Sequence, residues 1–375
     1  MMKKNLIFIT GFIILIVIGT FSSGCTGTDS NGPSPIVTET TYGEQYPLAF
    51  HNVFAYQEDP DCIYSITNTK YEPVNVRMTS EYEEYSTPTV TTITLEPGEE
   101  IEVPQTILMS PEKISGVKSA GKMNLHMKVE YETPGGWKVA DEQTAMIDVF
   151  PMDTMVYSIE GNDGNPIYLF DYLTVFVTPG SPAVKELLGK AKEYATSDYD
   201  PDYVSYDLIR SLPGYQCTDC TDVEAAEYSD LQVKAIYNAL QNDYKISYVD
   251  MESSFAINGE VQRISVPEES LNYQSANCVD GTVLFASALE ALSINPYIIF
   301  VPEHVYLAWD TDEYGTNLHA LETTMVEISP FEDALSEGMA ELDEHWEFLN
   351  NESMIDEYYI VDIKKARDLG ILPMK

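Results

Sequence analysis

The sequence predicts an α+β protein in two parts: a β-sandwich, then a mixed domain built around one buried helix. Three observations point there. Short segments of alternating apolar and polar residues fill the region from 46 to 155. A proline-free apolar run rich in Ala and Leu follows Asn277, the pattern of a helix buried on all sides. Strand-like segments at 297–301, 304–310 and 316–324 come directly after it. At 375 residues the chain exceeds the comfortable size of one domain, so two are expected.

In chain order, Lys3 and Lys4 precede an apolar run over 6–18, too short for a comfortable membrane span. Phe21-Ser22-Ser23-Gly24-Cys25 then supplies small residues ending in cysteine. This looks like a lipoprotein signal (1–24), with Cys25 lipidated after cleavage, although Ser22 stands where an aliphatic residue is usual. Ordinary secretion or an uncleaved anchor are the alternatives. Residues 25–45 are rich in Thr, Ser, Gly and Pro and are expected to be a flexible tether.

Within 46–155, Val74, Val76 and Met78 alternate with Asn75, Arg77 and Thr79. Met123, Leu125, Met127, Val129 and Tyr131 alternate with Asn124, His126, Lys128 and Glu130. Turns at Pro97-Gly98 and Pro134-Gly135-Gly136 separate such segments, which argues a sandwich of immunoglobulin type. Cys62 reads as a buried spectator, and His126 falls on the polar face with no obvious partner. The expected role is positioning or recognition. A connector over 156–180 leads to the second domain, 181–375. Helices are expected from Ser181-Pro182 and over 223–242, and the part from 330 onward reads as packing, with a final helix near 363–369.

Asn277 is a good N-cap, and Asp280 puts negative charge in the first turn. Cys278 therefore sits at the positive end of a buried helix, a place that favours the nucleophilic thiolate. The bland alternative is one more small buried residue. If 311–315 closes a symmetric hairpin centred on Glu313, His304 and Glu322 face each other, with Cβ atoms about 5 Å apart. Such a carboxylate can orient an imidazole, and the imidazole can serve a thiol as base and acid. Asp310 lies about 20 Å along the strand from His304, and His319 has the opposite parity to Glu322.

Asn277-Cys278-Val279-Asp280 before an apolar helix, then 302–309 (PEHVYLAW) and 320–324 (ALETT), resemble the transglutaminase-like superfamily. The resemblance covers roughly 178 to the C-terminus and is specific over about 267–324. It implies a papain-like fold with Cys278 as nucleophile, His304 as base and Glu322 as orienting acid, beside a helix pair. Two departures stand out: the usual acid is Asp, and the Gly that often precedes the His strand is Glu303. Gln274, just ahead of the nucleophile, is a candidate oxyanion donor, as is the Cys278 backbone N–H; a solvated loop glutamine is the alternative.

Cys217-Thr218-Asp219-Cys220 has redox spacing but follows Pro213-Gly214 in a loop, so a small structural disulfide is expected in an exported chain. A thiol-disulfide function there is a third reading. Zinc lacks ligands, since five histidines are scattered along the chain. Asp198, Asp200 and Asp202 lack the rest of a calcium loop, so no metal and no cofactor are expected. Sixty-one acids against twenty bases leave a formal charge of −41, which excludes backbone-phosphate binding to nucleic acid. The expectation is an exported, lipid-anchored thiol hydrolase or acyltransferase acting on protein or peptide-like amides at the cell surface. Its rival is a surface scaffold with an inert domain of the same fold.

Overall fold

A computed structural model describes residues 21–22, 34–161, 164–195, 211–217, 220–249 and 261–374. The chain is mixed α and β and divides into two compact units, one of residues 1–154 and 159–167, the other of 155–158 and 168–375.

The first unit holds β1 (Ile36–Tyr42), β2 (Gln45–Pro47), α1 (His51–Gln57), β3 (Cys62–Asn68), β4 (Val74–Tyr82), β5 (Thr89–Leu95), β6 (Glu100–Gln105), β7 (Gly121–Thr133) and β8 (Gly136–Phe150). One sheet has five strands in the order β2-β8-β7-β4-β5, and the other runs Phe21–Ser22, β1, β3, β6. The alternation read from the sequence sets the faces: Val74, Val76, Met78 and Tyr82 are buried, as are Met123, Leu125, Met127 and Val129. Tyr64 of β3, Ser80 of β4 and Gln105 of β6 join in a buried network, Tyr64 Oη to Ser80 Oγ at 2.6 Å and Ser80 Oγ to Gln105 Oε1 at 2.6 Å. These three polar groups are tolerated in the core because each finds a partner in the network. His126 also has one, Glu142 Oε1 at 3.1 Å, across the β7–β8 pair.

The expected tether is partly strand. β1 pairs along its whole length with β3, burying Ile36, Thr38, Thr40 and Tyr42 while Val37 and Glu39 face outward. Inward threonines masked the period: their hydroxyls make the stretch look polar, while their β-branched stems suit a pleated, half-buried strand. Cys25 and the leader up to residue 20 lie outside the described residues.

In the second unit, the expected connector contributes a largely buried 3-10 helix, Phe170–Phe176. There follow α2 (Pro182–Tyr194), α3 (Asp222–Ala239), β9 (Ser247–Tyr248), α4 (Pro267–Tyr273), β10 (Ser275–Ala276), α5 (Cys278–Ala291), β11 (Pro296–Val301), β12 (His304–Asp310), β13 (Leu318–Leu321), α6 (Phe331–Leu349), β14 (Tyr359–Asp362) and α7 (Ile363–Asp368). The central antiparallel sheet has the order β13-β12-β11-β14, so the tail read only as packing adds an edge strand. Ser181 caps α2 through Val184 N–H, and Thr221 with Glu224 forms a capping box on α3. Every residue of α5 from Cys278 to Leu289 is buried. Its far end is held by Arg367, whose guanidinium donates to Glu290 Oε1 at 2.8 Å and to the carbonyls of Thr174 and Val177.

Helix α6 lies on β13 at a glycine. A Cβ on Gly338 would fall 2.5 Å from Leu321 N and 2.6 Å from the Ala320 carbonyl, and Leu342 joins Ala320, Tyr306 and Ile299 in one apolar cluster. Gly338→Ala therefore forces α6 off the sheet and costs about 1–3 kcal/mol of stability. Denaturant unfolding measures this, and an unchanged midpoint would contradict the close approach.

Candidate active site

Asn277 stops the extended β10 segment and starts α5: its Oδ1 accepts the Asp280 N–H at 2.8 Å. Cys278 is thus the first residue of the helix, 6% exposed. The Asp280 carboxylate turns back to take the Ser265 N–H at 2.8 Å. Gly281 brings the helix close to the turn after β13, since a Cβ there would sit 3.2 Å from Thr323 Oγ1. Thr282 and Thr323 hydroxyls meet across the same contact at 3.3 Å.

His304 opens β12 immediately after the two-residue turn Pro302-Glu303. Glu303 has φ 61°, the left-handed conformation that glycine adopts at least cost. The departure noted at this position therefore keeps the backbone shape and carries some strain. His304 Nε2 lies 2.6 Å from Glu322 Oε2. Glu322, 4% exposed, also accepts the Thr324 N–H on Oε1 at 2.8 Å and the Thr324 hydroxyl. The side chain of Cys278 also acts on this imidazole and favours its charged form. Ring and carboxylate are thus paired directly, and the sulfur influences the ring's protonation.

The electrostatics follow. Burial works against a charged imidazole, but the side chains of Cys278 and Glu322 outweigh it and push His304 up to about 10. Burial would raise the Glu322 carboxyl, yet the bonds from His304 and Thr324 hold it below its ordinary range. Through neutral pH the pair is therefore imidazolium and carboxylate.

The hairpin differs from the symmetric expectation. Observed pairs Leu307↔Leu321 and Trp309↔His319 centre it on Tyr314 rather than Glu313. The loop is longer because Asp312 accepts the Tyr314 N–H at 2.7 Å and the Thr316 hydroxyl. Glu322 is not directly opposite His304. It leaves the strand to cap a 3-10 turn, Thr323–Glu327, and reaches the ring diagonally. The pairing moved by two positions, and an even shift keeps side chains on their face. Asp310 is occupied elsewhere, by Asn295 and Tyr297, and His319 bonds Asp230 at 2.9 Å.

Gln274 ends α4 at φ 55°, and its amide Nε2 donates to the Tyr244 carbonyl at 2.7 Å. Cys217 and Cys220 are joined as a disulfide. Cys62 is buried, and burial pushes its thiol up to about 12. The acidic triplet Asp198, Asp200 and Asp202 lies outside the described residues.

Two residues near the site carried no sequence signal. Glu341, from α6, brings Oε2 to 3.9 Å from His304 Nε2; burial first, then the charge of Glu322, lifts it to about 7. One acid among many on an amphipathic helix gives no cue. The donor atoms of His304, Glu322 and Glu341 lie within 4.8 Å of one another, a spacing compatible with a divalent cation. Tyr157, buried and donating to Gln262 Oε1 at 2.6 Å, is raised well above its usual value by burial, with added effect from Cys278 and Asp280.

The first unit has its own concave place. Asp59, Asp61, Tyr46, Phe54 and Tyr82 line a small concavity. Asp61 accepts the Tyr82 hydroxyl at 3.0 Å and the Ile107 N–H at 2.6 Å, whereas Asp59 Oδ2 is buried without a hydrogen-bond partner. Burial raises Asp59 to about 6 and Asp61 to about 7. The alternation that located the strands says nothing about acids converging from the loop between α1 and β3.

No protein-family model and no curated protein matches the sequence. Among solved structures, an exo-chitosanase from Amycolatopsis orientalis is similar over 56% of this chain and 25% of that one, at 9% identity and a TM-score of 0.21. The chain spans a quarter of that protein's length, and so slight a likeness carries no argument.

Two outcomes are expected. Glu322→Gln lowers the His304 pKa from about 10 toward its ordinary value in an NMR titration of the ring. Because its folded pKa lies above the ordinary one, the contribution of His304 is lost as pH rises from about 6.5 toward about 10, while that of Glu322, held below its ordinary range, is lost as pH falls into acid. Asp59 also has a raised folded pKa, so the folded state gains protons and its stability falls as pH rises through about 6. Asp59→Asn should then raise the unfolding temperature at pH about 8 and leave it unchanged below pH about 3, where the aspartate is neutral whether folded or unfolded.

Proposed function

We propose that this chain is an exported thiol enzyme of the transglutaminase-like superfamily, acting on amide or peptide bonds through Cys278, His304 and Glu322. The observation that carries the reading is one imidazole, 2.6 Å from a buried carboxylate, whose charged form is also favoured by a cysteine at the start of a buried helix. The order of elements supports a papain-like arrangement: the cysteine heads a helix, while histidine and acid belong to a following antiparallel hairpin. The two alternating-face sheets of the first unit support an immunoglobulin-type sandwich.

The Cys278 thiolate attacks the amide carbonyl carbon, and the electron pair moves onto oxygen. Backbone N–H groups at the start of α5 are suited to stabilise that oxyanion. Collapse of the tetrahedral species expels the amine, which takes its proton from the His304 imidazolium and leaves a thioester. Neutral His304 then accepts a proton from water, or from an acceptor amine, as that nucleophile releases the acid or the new amide. Glu322 keeps the ring oriented and stabilises its charged form throughout. No metal or cofactor takes part in this scheme.

The leader pattern and Cys25 support tethering to the outer face of a membrane. Among the described residues no helix is long and apolar enough to cross one. Protein or peptide-like material at that surface is the proposed substrate, and the −41 charge argues against nucleic acid.

Iodoacetamide at neutral pH tests the site, with buried Cys62 as internal control. Cys278 should be alkylated faster than a free thiol, and His304→Ala should slow it by about tenfold or more. A Cys278 rate no greater than that of a free thiol, unaltered in His304→Ala, would favour the inert surface scaffold.

A further inference from the structure

Glu341 has no part in the triad, yet α6 carries it to the reacting ring. Gly338 seats α6 against Ala320 and Leu321. Glu341 follows it by three residues, so it lies on the same side of the helix, and its Oε2 stands 3.9 Å from His304 Nε2. Glu322 Oε2 is 2.6 Å from that same nitrogen. One donor atom from each of His304, Glu322 and Glu341 falls within 4.8 Å of the other two. Ligand atoms on a tetrahedral zinc stand about 3.4 Å apart, given bonds of about 2.0–2.2 Å. Glu322 need open, and Glu341 close, by less than about 1 Å to hold one ion.

Two buried oxygens at this place have no hydrogen-bond partner. Glu341 Oε2 is one. The other is Tyr306 Oη, on a side chain that is 0% exposed, although a buried phenol ordinarily finds a partner. Tyr306 follows His304 by two residues on β12 and so shares its face, with the rings 6.2 Å apart. The charges of Glu341 and Glu322 both reach that hydroxyl. Charge is also unbalanced here: Glu322, Glu337 and Glu344 act on Glu341, with His304 alone opposing them. One carboxylate suffices to orient an imidazole, so the triad explains neither the second acid nor the orphaned phenol. A divalent cation accounts for both. It takes the two carboxylates and the ring nitrogen, and the phenol can donate to a metal-bound carboxylate oxygen.

We propose that His304, Glu322 and Glu341 form a binding site for a divalent cation of zinc type, which switches the thiol enzyme off. The site stands on these three side chains; its inhibitory consequence rests on the triad reading. Imidazole with two carboxylates suits zinc, whereas magnesium and calcium favour oxygen alone. Nε2 releases its proton to solvent as its lone pair goes to the metal, so one proton leaves for each ion bound. The ring, neutral and fixed on the metal, no longer supplies the imidazolium that protonates the leaving amine.

Zinc chloride alone is titrated calorimetrically into the full chain carrying Cys278→Ala, which removes the sulfur as a ligand, in two buffers of different ionisation heat. One saturable zinc per chain and about one released proton are expected, with magnesium far weaker. Glu341→Gln or His304→Ala, each added to that chain, should weaken zinc about tenfold or more. Binding unaltered in those variants, or matched by magnesium, is adventitious capture by a chain with sixty-one acids and overturns the site. Zinc should also shift the His304 ring signals in an NMR titration of the wild type; an unmoved ring overturns the site without any variant. One equivalent of zinc should slow iodoacetamide alkylation of wild-type Cys278 about tenfold or more, with recovery in EDTA. In Glu341→Gln, compared with itself without metal, the slowing should be less than about twofold. Zinc held by the three residues with alkylation unaltered overturns the switch. A metal-free Cys278 no faster than a free thiol removes the triad reading and the switch with it, while the calorimetry reads the site independently.

Discussion

The interaction on which the second unit turns is the partly buried, charge-assisted hydrogen bond between His304 and Glu322. An ion pair withdrawn from water survives only if its remaining lone pairs and protons are met. Thr324 meets one carboxylate oxygen with both its N–H and its hydroxyl, and the Cys278 side chain favours the charged ring. The pair in turn demands that a helix, a strand and a turn from three parts of the chain be held within a few tenths of an ångström.

Two glycines supply that closeness from different directions. Gly281 lets α5 lie against Thr323, and Gly338 lets α6 lie against Ala320 and Leu321. Both contacts bracket Glu322, whose own N–H donates to the Ala334 carbonyl of α6 at 3.0 Å. Neither glycine has a left-handed φ; they are small because backbone or a neighbouring side chain occupies the space a Cβ would take. The opposite economy appears at Glu303, where a residue with a side chain accepts a left-handed turn next to the catalytic candidate.

The local features of the site were readable from the chain. Asn277 as cap, Cys278 at the first helical position and His304 at the start of a strand follow from capping chemistry and apolar periodicity, which depend on near neighbours. The acid survived a wrong detail: the hairpin centre is Tyr314 rather than Glu313, but a displacement of two residues preserves the face. Other parts were hidden for nameable reasons. Thr38 and Thr40 disguised a strand with hydroxyls, and Gln274 gave up its amide to a carbonyl thirty positions away. Glu341 and Asp59 resembled any other acid in a chain crowded with them.

The buried helix after Asn277 with its cap, the two strands that follow it, and the side of the sheet on which His304 and Glu322 fall were determined by the sequence alone, because periodicity and capping act over a few residues. The tertiary structure alone decided that Glu341 stands beside His304 and that Tyr157 lies near the thiol. Those facts depend on how α5, α6 and the sheet pack. Packing brings together side chains whose separation along the chain carries no pattern to read.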